Sequence, residues 1–385
     1  MKKMYYYIIA FPVFLFMVLL YPVSAKAAFV SPFAVTIGGV EYILSEDGKT
    51  GAAHARIDTV RGENLPSELY IPDKVEYNGK KYQVKSFSWG EMDDYFIDRD
   101  DPEYYLVENG YTSLWKKTIT IPDKEHSYHA CLEKITFAKG VHVEGPVYGY
   151  DKLKKVVFEN PKNMINALYS KCPKLKRLYL PDSIRPSAID ISNCPSLQVA
   201  IDKNNKKLKV IGKDIYSKDG KILYIVVNGK KTYRVRKGVT IVASKALWGN
   251  ETIENLYLSD EMFTGAWVGA MPNLKKIRFG KNTKYFDWSD LDHAVPIKRL
   301  DFPKKTREFR VLFRNVRPGA VKKVYVRAES LKEKVWWVKM PLGTIPEDIT
   351  FYVKNKKVKR QLRDMYGFQG KIIIKKKMKR YDKLK

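Results

Sequence analysis

One spacing pattern constrains this chain more than any other: an apolar residue, two variable residues, an apolar residue, one variable residue and a third apolar residue. The triplet reads Leu132–Ile135–Phe137, Leu153–Val156–Phe158 and Leu175–Leu178–Leu180. It returns as Ile253–Leu256–Leu258, Leu274–Ile277–Phe279, Ile297–Leu300–Phe302 and Val321–Val324–Val326. First positions are 21 and 22 residues apart in the first run, then 21, 23 and 24 in the second. The last two apolar positions have period two, so they share one face of a short strand. A strand that short cannot bury its apolar side alone. Stacking successive copies at the ~4.8 Å strand spacing makes a parallel sheet over one continuous core.

A pitch of this length with one strand per copy fits the leucine-rich-repeat template. The predicted fold is a β-rich solenoid with a parallel sheet, an N-terminal β cap, hairpin inserts and a short C-terminal helix. Leu197 continues the first run with a strand, LQVAID, that is one residue short, and Thr232–Val235 fills the turn before Ile253. Cys172 and Cys194 occupy one slot in successive copies (KCPKL and NCPSL), which predicts small buried residues inside the stack. Their pairing state stays open, because a disulfide needs geometry that spacing does not supply.

The chain begins as an export signal would. Lys2 and Lys3 precede an almost wholly apolar Met4–Val23, and Ala25-Lys26-Ala27 is a small-x-small pattern that predicts cleavage after Ala27. Removing residues 1–27 takes three lysines and no acid from a formal net charge of +29. Such a charge attracts anionic partners. For an exported chain these are anionic polysaccharides, cell-wall polymers, or host surface proteins and glycans, with no nucleic acid expected. A monomer is expected. The organisation read from the sequence is a signal peptide over 1–27, a β cap over 28–60, a solenoid over 61–374 and a basic tail over 375–385. Within the solenoid lie an irregular insertion at 91–120 and a hairpin insert at 214–235. Asn78-Gly79, Asp219-Gly220 and Asn228-Gly229 read as two-residue hairpin turns with positive φ, and Asp47-Gly48 turns within the cap.

Three blocks carry a more specific resemblance: VTIGGVEYILSEDGKTGAA with LYIPDKVEYNGKKYQV, then NNKKLKVIGKDIYSKDGKILYIVVNGKKTYRVRKGVTIVASKALW, then FYVKNKKVKRQLRDMYGF. Together they resemble the BspA-like leucine-rich-repeat proteins of bacteria, over roughly residues 36–374. The last block is similar to that family's final turn, a strand followed by a short helix. The family's Ala-Phe at the return turn reads Ala246-Leu247 here, and no wall-sorting signal follows the repeats. The resemblance implies an exported protein used for adhesion or host interaction, with no catalytic residue to carry over.

Candidate binding residues follow from the strand pleat, because the variable positions around the middle apolar residue point away from the core. One column reads Lys134, Lys155, Arg177, Asn255, Lys276, Arg299 and Lys323, six of them cationic. Its neighbour reads Thr136, Val157, Tyr179, Tyr257, Arg278, Asp301 and Tyr325. Cations beside tyrosines, repeating about every 4.8 Å, form a rail for a linear polyanion, and tyrosine also stacks on sugar rings. The alternative is a solubilising surface, or a structural role in which the array and the cationic stretch 354–385 hold the protein electrostatically to the producer's own envelope. No catalytic, metal or cofactor site is expected. His126 and His129 (HSYH) lack the spacing and glutamate of a zinc protease, and neither a nucleophile elbow nor a P-loop occurs. The acidic stretch 91–103 does not have the spacing of an EF-hand loop.

Overall fold

The computed structural model describes residues 30–46, 51–56, 66–89, 131–145, 147–227, 230–263, 271–287, 297–310, 321–331, 348–365 and 367–378. The expected signal peptide, the insertion 91–120, the HSYH pair, Asn228-Gly229 and the end of the basic tail lie outside these residues.

The triplets stack as the spacing predicts. Lys134–Phe137 pairs in parallel with Lys155–Phe158 residue for residue. Arg177–Leu180 continues the sheet to Gln198–Ile201. At the other edge the sheet begins with Glu68–Ile71, which pairs with Lys134–Phe137 although 66 residues separate Glu68 from Lys134. That first strand lacks the full triplet, because Pro66 stands at its leading apolar position. The residue missing from LQVAID is absorbed after Leu197, which stays fully buried while Gln198 keeps register with Arg177.

A second front sheet, seven strands among the described residues, runs from Thr232–Arg234 through Asn255–Tyr257, Lys276–Arg278, Arg299–Phe302, Lys323–Val326 and Thr350–Val353 to Ile372–Ile374. The return side carries its own short parallel sheets, Val147–Tyr148 with Ala167–Ser170 and Ile189–Ser192, and Tyr285–Asp287 with Glu308–Arg310. Between front and return strands lies a ladder of rings. Phe279 stacks on Phe302 at 4.4 Å and 8°, with Phe286 and Phe309 edge-on. In the first half Phe87, Trp89, Phe137 and Tyr150 interlock in the same place. The turns approach so closely that a Cβ on Gly280 would lie 1.8 Å from the Ser259 carbonyl oxygen, so only glycine fits there.

Both ends and the middle of the core need covers. At the start, an antiparallel meander of Val30–Ile37, Val40–Glu46 and Gly51–Arg56 joins Lys80–Ser88. Asn78 and Gly79 both have positive φ, 50° and 73°, the two-residue turn expected of that dipeptide. At the end, the helix Lys356–Asp364 buries Val358 and Leu362; the Asn355 side chain accepts from the Val358 amide at 2.9 Å and caps it.

The hairpin insert differs from expectation. It is three-stranded, Leu208–Ile211, Asp214–Ser217 and Ile222–Ile225, so it starts before residue 214, and Thr232–Arg234 belongs to the second front sheet. Its Asp219-Gly220 turn has positive φ only at Gly220. Asp219 instead accepts from the Ser217 hydroxyl at 2.5 Å and the Lys221 amide at 3.0 Å, a side-chain turn that replaces the mirror-image one. The insert joins two cores. Ile215 and Ile225 pack with the first half, and their neighbours Tyr216 and Leu223 pack with the second. A bulge between Ile215 and Tyr216 allows this, because one extra residue on the partner strand redirects the side chains beyond it. Tyr233 pins the next strand to the insert by donating to Asp214 Oδ2 at 2.6 Å, and burial and that carboxylate hold its phenol protonated.

Cys172 and Cys194 are free, fully buried thiols one turn apart. Each donates to the carbonyl two residues earlier, Ser170 at 3.4 Å and Ser192 at 3.3 Å. The Cys194 thiol beside Cys172, together with burial, keeps Cys172 protonated.

Candidate functional site

Register turns the sequence columns into physical ones, and it splits them in two. In the first front sheet the outward column is Glu68, Lys134, Lys155, Arg177 and Gln198. In the second it is Thr232, Asn255, Lys276 and Arg299, with Lys323 and Thr350 beyond. The rail expected from the sequence is therefore two separate three-cation runs, with the hairpin insert between the sheets.

In the first run, Lys134 pairs with Glu68 at 2.7 Å. Lys155 and Arg177 stand on adjacent strands, both exposed, with no carboxylate partner among the described residues. The neighbouring column is Tyr70, Thr136, Val157, Tyr179 and Ala200. Tyr70 and Tyr179 are 52% and 43% exposed, high for rings of their size. Their hydroxyls donate to carboxylates on the turns that follow the strands: Tyr70 to Glu159 at 3.3 Å, Tyr179 to Asp202 at 2.5 Å. The hydrogen bond to Asp202 raises the Tyr179 phenol above its ordinary range and lowers the Asp202 carboxyl. Tying down the hydroxyl fixes the ring while its face stays open. Tyr70 stood outside the sequence column for the same reason its strand did.

The second run is mostly engaged within its own sheet, Lys323 excepted. Asp301, expected to point outward, is fully buried. Arg299 clamps it through Nε at 2.6 Å and Nη2 at 3.0 Å, and Arg327 Nη1 reaches it at 3.0 Å. Burial lowers and Asp301 raises the Arg299 pKa, and the net shift is upward. Tyr257 is only 4% exposed, with the Arg234 guanidinium 3.9 Å from its ring centre and Lys276 Nζ at 5.3 Å. Arg278 is largely covered and lies 3.9 Å from Asp260. Arg299 also lies 4.1 Å over Tyr325, which stacks on Tyr352 at 4.5 Å and 7°. Of the ten candidates, then, Lys155, Arg177 and Tyr179 come together as an open strip with Lys134 at its edge. Tyr257, Arg278, Arg299 and Tyr325 are absorbed into a cation–π and ion-pair lattice that also holds Lys276. Lys323 is exposed beside that lattice.

Among the described residues no group of three or more His, Cys, Asp or Glu is placed to hold a metal ion. No described helix is long and apolar enough to cross a membrane.

No protein-family model matches the sequence. No curated protein matches it either. Among solved structures, the chain is similar to the pneumococcal vaccine antigen PcpA at 14% identity and a TM-score of 0.45, over 90% of this chain and 99% of that one. It is similar to a leucine-rich-repeat protein of Eubacterium ventriosum at 15% identity and a TM-score of 0.42, covering 83% and 84%. A leucine-rich cell surface protein of Faecalibacterium prausnitzii is similar at 12% identity and a TM-score of 0.29, covering 77% and 89%. At such identities and scores the assignment stands on this chain's own strand register: successive copies, each giving one short front strand paired in parallel over a shared core, make it a leucine-rich-repeat β-solenoid.

Proposed function

We propose that this is a secreted or cell-surface binding protein that recognises a glycan carrying anionic groups through the exposed face of its first front sheet. The observation that carries the reading is the pairing of two cations without a carboxylate partner among the described residues, Lys155 and Arg177, with the open ring faces of Tyr70 and Tyr179. Neighbouring strands set Lys155 and Arg177 ~4.8 Å apart. That spacing lets both contact one carboxylate, phosphate or sulfate substituent, and charge-assisted bonds of this kind are the strong ones. Tyrosine supplies a large, stiff, amphipathic contact at low entropic cost, suited to a sugar ring. Three carboxylates border the strip, Glu68, Glu159 and Asp202. The site is therefore a discrete recognition strip rather than a uniformly positive rail.

The test is a glycan and cell-wall polymer array probed with the mature chain at low and moderate salt, beside the double variant Lys155→Gln/Arg177→Gln and the variant Tyr179→Ala. Binding that survives moderate salt and falls at least ~10-fold in both variants supports the reading, a tenfold change being about 1.4 kcal/mol. A net charge of +29 supports a second reading, an electrostatic coat on the producer's envelope. Binding that is abolished by moderate salt and indifferent to either variant establishes that reading instead.

A further inference from the structure

The edge where front strands turn into return strands holds a second cationic feature, far along the chain from the strip. Successive turns stack there through their backbones. The Lys284 amide donates to the Phe263 carbonyl, and the Arg307 amide donates to the Lys284 carbonyl, both at 2.8 Å. Thr306, one turn above Thr283, donates to its carbonyl at 3.4 Å. This stacking brings side chains of successive turns around a cavity of about 550 Å³, walled by Lys284, Lys304, Lys305 and Arg307, with Ser330 and one carboxylate residue, Glu329, from the next turn.

How these cations are held separates them from ordinary surface lysines. Elsewhere on the same edge Lys281 is neutralised, 3.4 Å from Asp260, and at the cavity itself Glu329 is taken up by Lys354. Around the cavity the anchors carry no charge. Lys305 Nζ donates to the Asn282 side-chain oxygen at 2.6 Å, and Lys284 Nζ sits 5.1 Å from the centre of the Phe263 ring. A neutral anchor fixes an ammonium in place without cancelling its field. Lys304 and Arg307 are exposed and make no carboxylate ion pair within 4 Å among the described residues, Lys304 feeling only the more distant field of Glu329. Glu329 is already engaged by Lys354 and by Asn355 Nδ2, and the Lys354 hydrogen bond lowers its pKa. The cavity therefore presents more positive charge than its one occupied carboxylate offsets. Positively lined clefts concentrate anions, and a guanidinium fork beside ammonium groups matches the several oxygens of a tetrahedral oxyanion.

We infer that the cavity framed by Lys284, the turn at 304–307 and the next turn at 329–330 is a binding site for a phosphate or sulfate group, separate from the front-sheet strip. The chemistry is shared by phosphodiester polymers and sulfated glycans, so the ligand class is a tetrahedral oxyanion ester presented on a polymer. A carboxylate offers two oxygens rather than three or four and so engages fewer of the cavity's cationic donors.

The experiment is calorimetric titration of the full chain with inorganic phosphate, inorganic sulfate and acetate, repeated with a polyphosphate and a sulfated polysaccharide. Two double variants accompany it, Lys304→Gln/Arg307→Gln in the cavity and Lys155→Gln/Arg177→Gln on the strip. All four substituted residues are exposed, and unchanged circular dichroism confirms that the variants fold. Saturable binding of phosphate or sulfate, weakened at least ~10-fold by the cavity variant and unchanged by the strip variant, is the expected result, since the variant removes two charge-assisted donors. The polymer arms then show which ester is the natural one. Absence of oxyanion binding, equal affinity for acetate, or an equal loss in both variants overturns the inference. The last two outcomes leave the front-sheet reading standing, because that reading is scored on the array with the strip variants alone.

Discussion

The two front sheets are built from the same repeat and yet spend their outward residues differently. In the first, Lys155, Arg177, Tyr70 and Tyr179 face solvent, and each tyrosine hydroxyl is tied to a carboxylate on the turn after a strand. In the second, the equivalent columns place Asp301 between Arg278 and Tyr325, and most of the charges and rings engage one another across the sheet, leaving Lys323 exposed. A single aspartate in the outward column makes most of the difference. With a buried carboxylate at its centre, the neighbouring arginines become structural; without one, the cations stay available. The comparison teaches that the charge of a repeat column does not determine its role, because role depends on what stands one turn away.

The sharpest way to break that comparison is Asp301→Ala. Removing one partner of a buried ionic cluster leaves Arg299 and Arg327 without their shared counter-charge, which costs about 3–5 kcal/mol. Chemical denaturation should show the second half losing its cooperative transition first, whereas a loss no larger than an exposed pair gives would mean that the cluster is not structural. A smaller effect is expected at Asp190, a buried residue of the return strand Ile189–Ser192 whose Oδ2 makes no hydrogen bond. Burial pushes its carboxyl up to about 6, against the pull of Lys245. The sign follows from proton uptake by the folded state. A raised folded pKa means that stability declines as pH rises from about 4 through about 6 and then levels off, by up to ~1.4 kcal/mol per pH unit. Asp190→Asn should flatten that slope, and identical slopes in variant and parent would refute the assignment. The smallest effect on stability is expected from Lys155→Gln/Arg177→Gln, within about 0.5 kcal/mol, as for exposed residues without structural partners. A larger loss in thermal denaturation would show that the strip, like the second sheet, is structural.

Much of the architecture was legible before any coordinate. The triplets at Leu132, Leu153 and Leu175, and those from Ile253 onward, pair as their spacing implies, and the slot shared by Cys172 and Cys194 is buried as its chemistry suggests. Strands whose leading position breaks the pattern are less legible: Pro66 stands at the leading position before Glu68–Ile71. The extent of the insert is not legible in the sequence because its first strand, Leu208–Ile211, reads like another repeat strand, and its turn uses the Asp219 side chain in place of a mirror-image turn. Of the candidate residues, the columns were right in register but not in exposure, and Tyr257 and Asp301 are buried. The cavity between Lys284 and Arg307 left no signal in the triplets, since it is made by turn residues 23 positions apart that only stacking brings together.

What the sequence determined by itself is the repeat: apolar residues at period two within a strand, recurring every 21–24 residues, have no other way to leave water than to stack. What only the tertiary structure decided is which outward charges remain free. That depends on partners one or two turns distant, at separations of a few ångströms, and electrostatic and cation–π contacts fall off too steeply with distance for a linear pattern to reveal them.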